Sequence, residues 1–115
     1  MEISAKDKGL RAVLADEGEA QRRFGAAMGK KIALRIAALR AADSLADFWP
    51  PKSGPERCHE LKGNMAGIFS VDVKQPYRLL FRPDRTEPSK DRSDEQKRWS
   101  TIKSIELLSI EDTHG

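Results

Sequence analysis

The stretch CHELKGNMAGIFSVDVKQPYRLLFR, residues 58–82, decides the fold. Phe69, Val71 and Val73 alternate with Ser70, Asp72 and Lys74, which is the period of a strand with one apolar and one polar face. Gln75-Pro76 marks a turn, after which Tyr77, Leu79 and Phe81 alternate with Arg78, Leu80 and Arg82. The two runs predict a β-hairpin whose apolar sets face one way, so that Ser70, Asp72, Arg78 and Arg82 share the other face. The sheet is expected to begin around Cys58. The Gly63 turn leaves open which face His59 and Lys62 join.

The apolar side of such a hairpin needs a cover, and the first half of the chain supplies it. Ser4 and Asp7 have the spacing of a capping box. Leu10, Val13, Leu14 and Phe24 follow at helical spacing, with Gly18 as a candidate break and Gly25 as a candidate cap. A second helix is expected over about 26–42, with Met28, Ile32, Ile36 and Leu39 along one stripe. Lys30, Lys31, Arg35 and Arg40 fall off that stripe and read as a solvated face. Together the helices suggest an antiparallel hairpin. Phe48-Trp49-Pro50-Pro51 ends helical structure and reads as the joint between layers, with Trp49 packed there rather than exposed for base stacking.

Beyond Arg82 the chain reads RPDRTEPSKDRSDEQKR, in which 11 of 17 residues are charged and none is aliphatic or aromatic. A flexible charged insertion over about 83–98 is expected, with its charges nearly balanced. Trp99 to Ile110 reads as a final strand inside the sheet, and Met1-Glu2-Ile3 as a short first one. The expected fold class is α+β: two N-terminal helices packed on one face of a twisted, mainly antiparallel β-sheet, in one domain spanning 1–115.

Composition narrows the function classes. Lys and Arg number 21 against 18 Asp and Glu, a net charge of +3 with a pI near 9.2. This permits a polyanionic partner without demanding one. Cys58 is the sole cysteine, so neither an internal disulfide nor a CxxC zinc site is expected. No phosphate-binding glycine motif, cofactor motif or metal motif is present, and no cofactor is expected. The absence of an apolar leader or spanning segment predicts a soluble cytoplasmic protein with no membrane partner.

Histidines His59 and His114 both fall in the sheet half. Metal-free RNA cleavage needs a base for the 2′-OH, an acid for the leaving 5′-oxygen, cations for the phosphorane and a basic surface for the strand. His59, His114, Arg78 and Lys62 could supply these roles, with Asp112 orienting a histidine. Structural histidines are the competing reading of the same spacing.

The motifs carry a resemblance. His-x-Leu-Lys-Gly at 59–63, Tyr-Arg-Leu-Leu-Phe at 77–81 and the terminal Ile-Glu-Asp-x-His at 110–114 resemble the HigB-like killer proteins of the RelE/ParE toxin superfamily. The likeness extends through the helical half and skips the charged insertion. It implies a ribosome-dependent, metal-independent mRNA endonuclease. It also implies inhibition by a HigA-type helix-turn-helix antitoxin and contact with operator DNA only through that complex. By this resemblance His59, Arg78, Asp112 and His114 are the catalytic candidates. The cations Arg57, Lys62, Lys74 and Arg82 are the RNA-binding candidates. Thr113 stands where the family commonly has tyrosine. A ParE-like gyrase inhibitor, and a catalytically weak toxin serving as an antitoxin-binding module, are the alternatives.

Overall fold

The structure, a computed structural model, describes residues 1–85, 87–88 and 90–112. The hairpin forms as its alternation requires, from β3 (Phe69–Lys74) and β4 (Tyr77–Pro83). Phe69 lies opposite Phe81 and Val71 opposite Leu79, all fully buried, with the two phenyl rings stacked at 5.9 Å. Here β5 (Ser104–Asp112) pairs antiparallel with β4 and parallel with β1 (Glu2–Ala5). The two-residue β2 (His59–Glu60) closes the opposite edge, giving the order β1-β5-β4-β3-β2. The last strand therefore lies inside a mainly antiparallel sheet, as its apolar content predicts.

Helices α1 (Lys8–Ala15), α2 (Glu17–Phe24) and α3 (Ala26–Ala41) cover the apolar face. The cap of α1 is Asp7, which accepts the Leu10 amide at 2.9 Å, and not Ser4. Ser4 is drawn into β1 opposite Glu106, and its hydroxyl donates to Asp84. The break expected at Gly18 falls two residues earlier. Asp16 ends α1 and caps α2 by accepting the Gly18 amide, a role glycine has no side chain to fill. Gly25, at φ +87°, then turns the chain between α2 and α3.

Within the hairpin of α2 and α3, the stripe Ile32, Ile36 and Leu39 is buried as expected, with Gly29 beside it. Two of the basic residues reach inward from the face assigned to them, although Arg40 stays exposed. Arg35 Nε donates to the Asp72 carbonyl at 2.8 Å, tying α3 to β3, and Arg40 Nη2 donates to the Leu14 carbonyl at 2.7 Å. Guanidinium groups reach backbone carbonyls that the apolar stripe cannot serve.

The charged segment ends in structure, not in an extension of β5. A short helix α4 (Glu95–Ser100) starts where Asp94 accepts the Lys97 amide at 3.0 Å. Trp99, expected to open the final strand, belongs to this helix. It is buried edge-on against Trp49 at 5.1 Å and Phe69 at 5.5 Å. Trp49 thus packs at the joint between layers. Cys58 is fully buried, and burial, with Glu56 nearby, pushes its thiol up to about 12, so it is unsuited to act as a nucleophile. None of the described helices is long and apolar enough to cross a membrane.

Candidate RNA-facing surface

Strand register sets out the open face. His59 lies opposite Ser70, Ser70 opposite Leu80, and Leu80 opposite Ser109. Two residues further along, Asp72 lies opposite Arg78, and Arg78 opposite Glu111. The alternation thus puts His59 on the open face with Arg78, the question that the Gly63 turn leaves to the fold. The two stand two strands and two residues apart, about 12 Å between Cα atoms at ~4.8 Å per strand and ~3.3 Å per residue. The row between them, Ser70 and Leu80, is buried, and the Arg78 guanidinium turns toward Glu111 on β5.

Charges alternate across the second row. Arg57 Nε lies 3.3 Å from Asp72, and Arg78 Nη2 lies 3.3 Å from Glu111. Arg82 pairs with Glu106 at 2.7 Å, across a bulge and away from His59. Lys74 is exposed at the β3–β4 turn. Two polar atoms in this region are buried without a hydrogen-bond partner among the described residues: Ser70 Oγ and Arg78 Nε. Such atoms are costly unless something arrives to meet them.

Nδ1 of His59 lies 2.9 Å from the Arg57 carbonyl. A carbonyl only accepts, so Nδ1 carries the proton in that bond, and a neutral ring leaves Nε2 as the basic atom. The segment that fixes this bond is strained, with Arg57 at φ +46° and Lys52 at φ +62°.

Asp112 is placed differently from the sequence reading. Arg82 opposite Glu106 would put Glu106, Leu108, Ile110 and Asp112 on the open face of a regular strand. The bulge between Leu80 and Phe81 resets the count: Leu80 lies opposite Ser109 while Phe81 lies opposite Leu107. Ile110 therefore packs on the core, Asp112 lies opposite Tyr77 on the helix-facing side, and Glu111 meets Arg78. A one-residue insertion inverts the side-chain faces beyond it. Thr113 and His114 lie outside the described residues.

Glu60, Arg92 and Arg98 were not candidates on sequence grounds. Glu60 accepts the Gly67 amide at 2.9 Å, both Nη atoms of Arg92 at 2.8 and 3.0 Å, and Arg98 Nη1 at 2.9 Å. The charged segment is thereby clamped to the residue that follows His59. Arg98 is only 6% exposed. Burial raises the Glu60 carboxyl, but hydrogen bonds from Arg92 and Gly67 and the charge of Arg98 outweigh it and hold the group below the ordinary carboxylate range. Its value is lower folded than unfolded, so its stabilisation is present at neutral pH and lost as pH falls through the folded value. Glu60→Gln is expected to lower Tm at pH 7, with the gap to wild type closing below about pH 4. Thermal melts at both ends of that range check this, and equal melting at pH 7 would contradict it.

The five-stranded, mainly antiparallel sheet with helices on its apolar face matches the fold of YoeB/ParE-type toxins. No protein-family model matches the chain, and no curated protein matches it in sequence. Among solved structures, the YoeB/ParE toxin from Agrobacterium tumefaciens is similar at a TM-score of 0.58 and 18% identity, over 97% of this chain and 98% of that one. The YoeB-YefM complex from Staphylococcus aureus is similar at 0.55 and 15% identity, over 96% and 94%. The YoeB dimer from the same organism gives 0.52 and 16%, over 95% and 92%. At such identities the likeness is one of fold.

Proposed function

We propose that this chain, as one unit over 1–115, is the toxin of a type II toxin–antitoxin pair and a metal-independent endonuclease that cuts mRNA on the ribosome. The observation that carries this is the shared open face of His59, with Nε2 as its basic atom, and Arg78, with its unpartnered Nε. His59 Nε2 takes the proton of a 2′-OH, and the freed oxygen attacks the adjacent phosphorus. The partly exposed Arg78 guanidinium donates to the phosphorane oxygen as negative charge builds. The P–O5′ bond breaks, leaving a 2′,3′-cyclic phosphate and a 5′-OH. His114 donates the proton to the departing oxygen, by the resemblance to HigB-like toxins. Asp112 retains its role only by reaching around the end of β5, and Glu111 is the carboxylate facing Arg78.

Arg57, Lys62, Lys74 and Arg82 are the proposed strand-aligning cations. A HigA-type helix-turn-helix antitoxin is the proposed partner, with operator DNA reached only through the complex. The solved complex of YoeB with YefM supports a protein partner for this fold. Ribosome-bound mRNA as substrate implies a cytoplasmic site of action.

Induced expression followed by mapping of mRNA 5′ ends tests the proposal. New 5′ ends inside translated frames are expected. Intact mRNA with accumulating DNA cleavage complexes would instead establish a gyrase inhibitor. Harmless expression without a partner would establish a binding module.

A further inference from the structure

A groove of about 780 Å3 opens at the β2 edge, with His59 among the residues lining it. That volume is typical of sites for small ligands. Trp49 and Lys52 line it from the segment before Cys58, and Lys62 from the turn after β2. Gly63, at φ +65°, makes that turn, and nothing lies within 4 Å of where its Cβ would stand, so the groove is open there.

The lining is polarised. Its two carboxylates, Glu60 and Glu95, are both engaged by Arg92 and Arg98. Lys52 and Lys62 are exposed, and neither forms an ion pair among the described residues. Trp49 is half-buried and braced perpendicular to Trp99, with an interplanar angle of 86°. A fixed indole and two uncommitted ammonium groups beside an imidazole match the chemistry of an unstacked base with phosphates on either side.

We propose that this groove binds one unpaired nucleotide of an RNA strand, its base stacked on Trp49 and its flanking phosphates held by Lys52 and Lys62, so that a neighbouring phosphodiester is delivered to His59. The site rests on the RNA-cleaving reading of the open face and adds a subsite to it. It also gives Trp49 a second role besides packing at the joint. Stacking tolerates any base, so this subsite positions the strand without specifying its sequence.

The test uses the whole chain and a short 2′-O-methyl oligoadenylate, which binds but lacks the nucleophile for cleavage. Oligonucleotide binding at about 50 mM salt is expected to quench tryptophan fluorescence, because Trp99 is buried and Trp49 faces the groove. Trp49→Phe should abolish the quench while keeping affinity within about threefold, since phenylalanine also stacks. Lys52→Gln with Lys62→Gln should weaken binding at least about tenfold and flatten the salt dependence by about 1.4 in the log–log slope, near 0.7 per lost phosphate contact.

A quench that survives Trp49→Phe, or unchanged affinity and slope in the double lysine variant, would overturn the proposal. So would protection of Trp49 by a bound protein partner but not by the oligonucleotide. Cleavage assayed on the same proteins separates the two readings. Cleavage at the wild-type rate in the lysine variant sinks the subsite alone. Intact oligonucleotide binding without cleavage by any of the proteins sinks the catalytic reading alone.

Discussion

His59→Ala is expected to slow RNA cleavage by about a hundredfold or more, the ordinary loss when a positioned base is removed. Translation arrest should fail with it, while the protein still folds and binds its partner. The side chain is only partly buried, and the hydrogen bond it gives up, Nδ1–H to the Arg57 carbonyl, is worth about 1 kcal/mol. Arg78→Ala should be comparably damaging, and Arg78→Lys should not restore activity. Nε and the Nη atoms of arginine point in fixed directions, one toward Glu111 and one unpartnered, which an ammonium cannot reproduce. Rates on ribosome-bound mRNA, with circular dichroism as the folding control, check both. Arrest at wild-type strength in a protein lacking both His59 and His114 would end the nuclease mechanism.

Gly29→Ala carries the largest expected effect on stability. A Cβ at Gly29 would stand 2.5 Å from both Cα and N of Gln21 and 2.8 Å from the Ala20 carbonyl carbon. All three are backbone atoms of α2, so no rotamer change relieves the overlap and the two helices must separate. Helix propensity alone would favour alanine by about 1 kcal/mol. Overpacking of this kind costs about 1–3 kcal/mol, and a backbone obstacle puts Gly29 at the upper end. A fall in Tm of the order of 10 °C follows for a chain of this size. Gly9→Ala is the control: its Cβ would meet mainly the Arg23 guanidinium at 2.6 Å, the mobile end of a long side chain. A higher Tm for Gly29→Ala would show that the helical hairpin is not closed at this point.

The regular parts of the fold were legible because their signals are periodic. Phe69, Val71, Val73, Leu79 and Phe81 announce the hairpin, and Ile32, Ile36 and Leu39 the core stripe of α3. The first helix departs from the sequence reading at both ends because a competing cap stands near each expected one, Asp7 near Ser4 and Asp16 near Gly18. Ser4 was claimed by the parallel pairing of β1 with β5, a contact between the two ends of the chain that no local window contains.

The charged segment misled for a related reason. Its composition indicates a loop, yet Arg98 is buried because a carboxylate 38 residues away in sequence waits for it. Of the candidate site, His59 and Arg78 were legible from residue type and alternation. Glu111 was not, because the bulge that turns it toward Arg78 leaves no mark in the composition of Ser104 to Asp112.

The alternating row of Arg57, Asp72, Arg78 and Glu111 has a bearing on selectivity. Each of its guanidinium groups already holds a carboxylate, so an incoming phosphate must share those donors with it. In the proposed nuclease role this row offers a passing RNA little, and the exposed Lys52, Lys62 and Lys74 supply the uncommitted charge. The lysines gather the strand, and the paired guanidinium groups act only on a phosphate already held beside them.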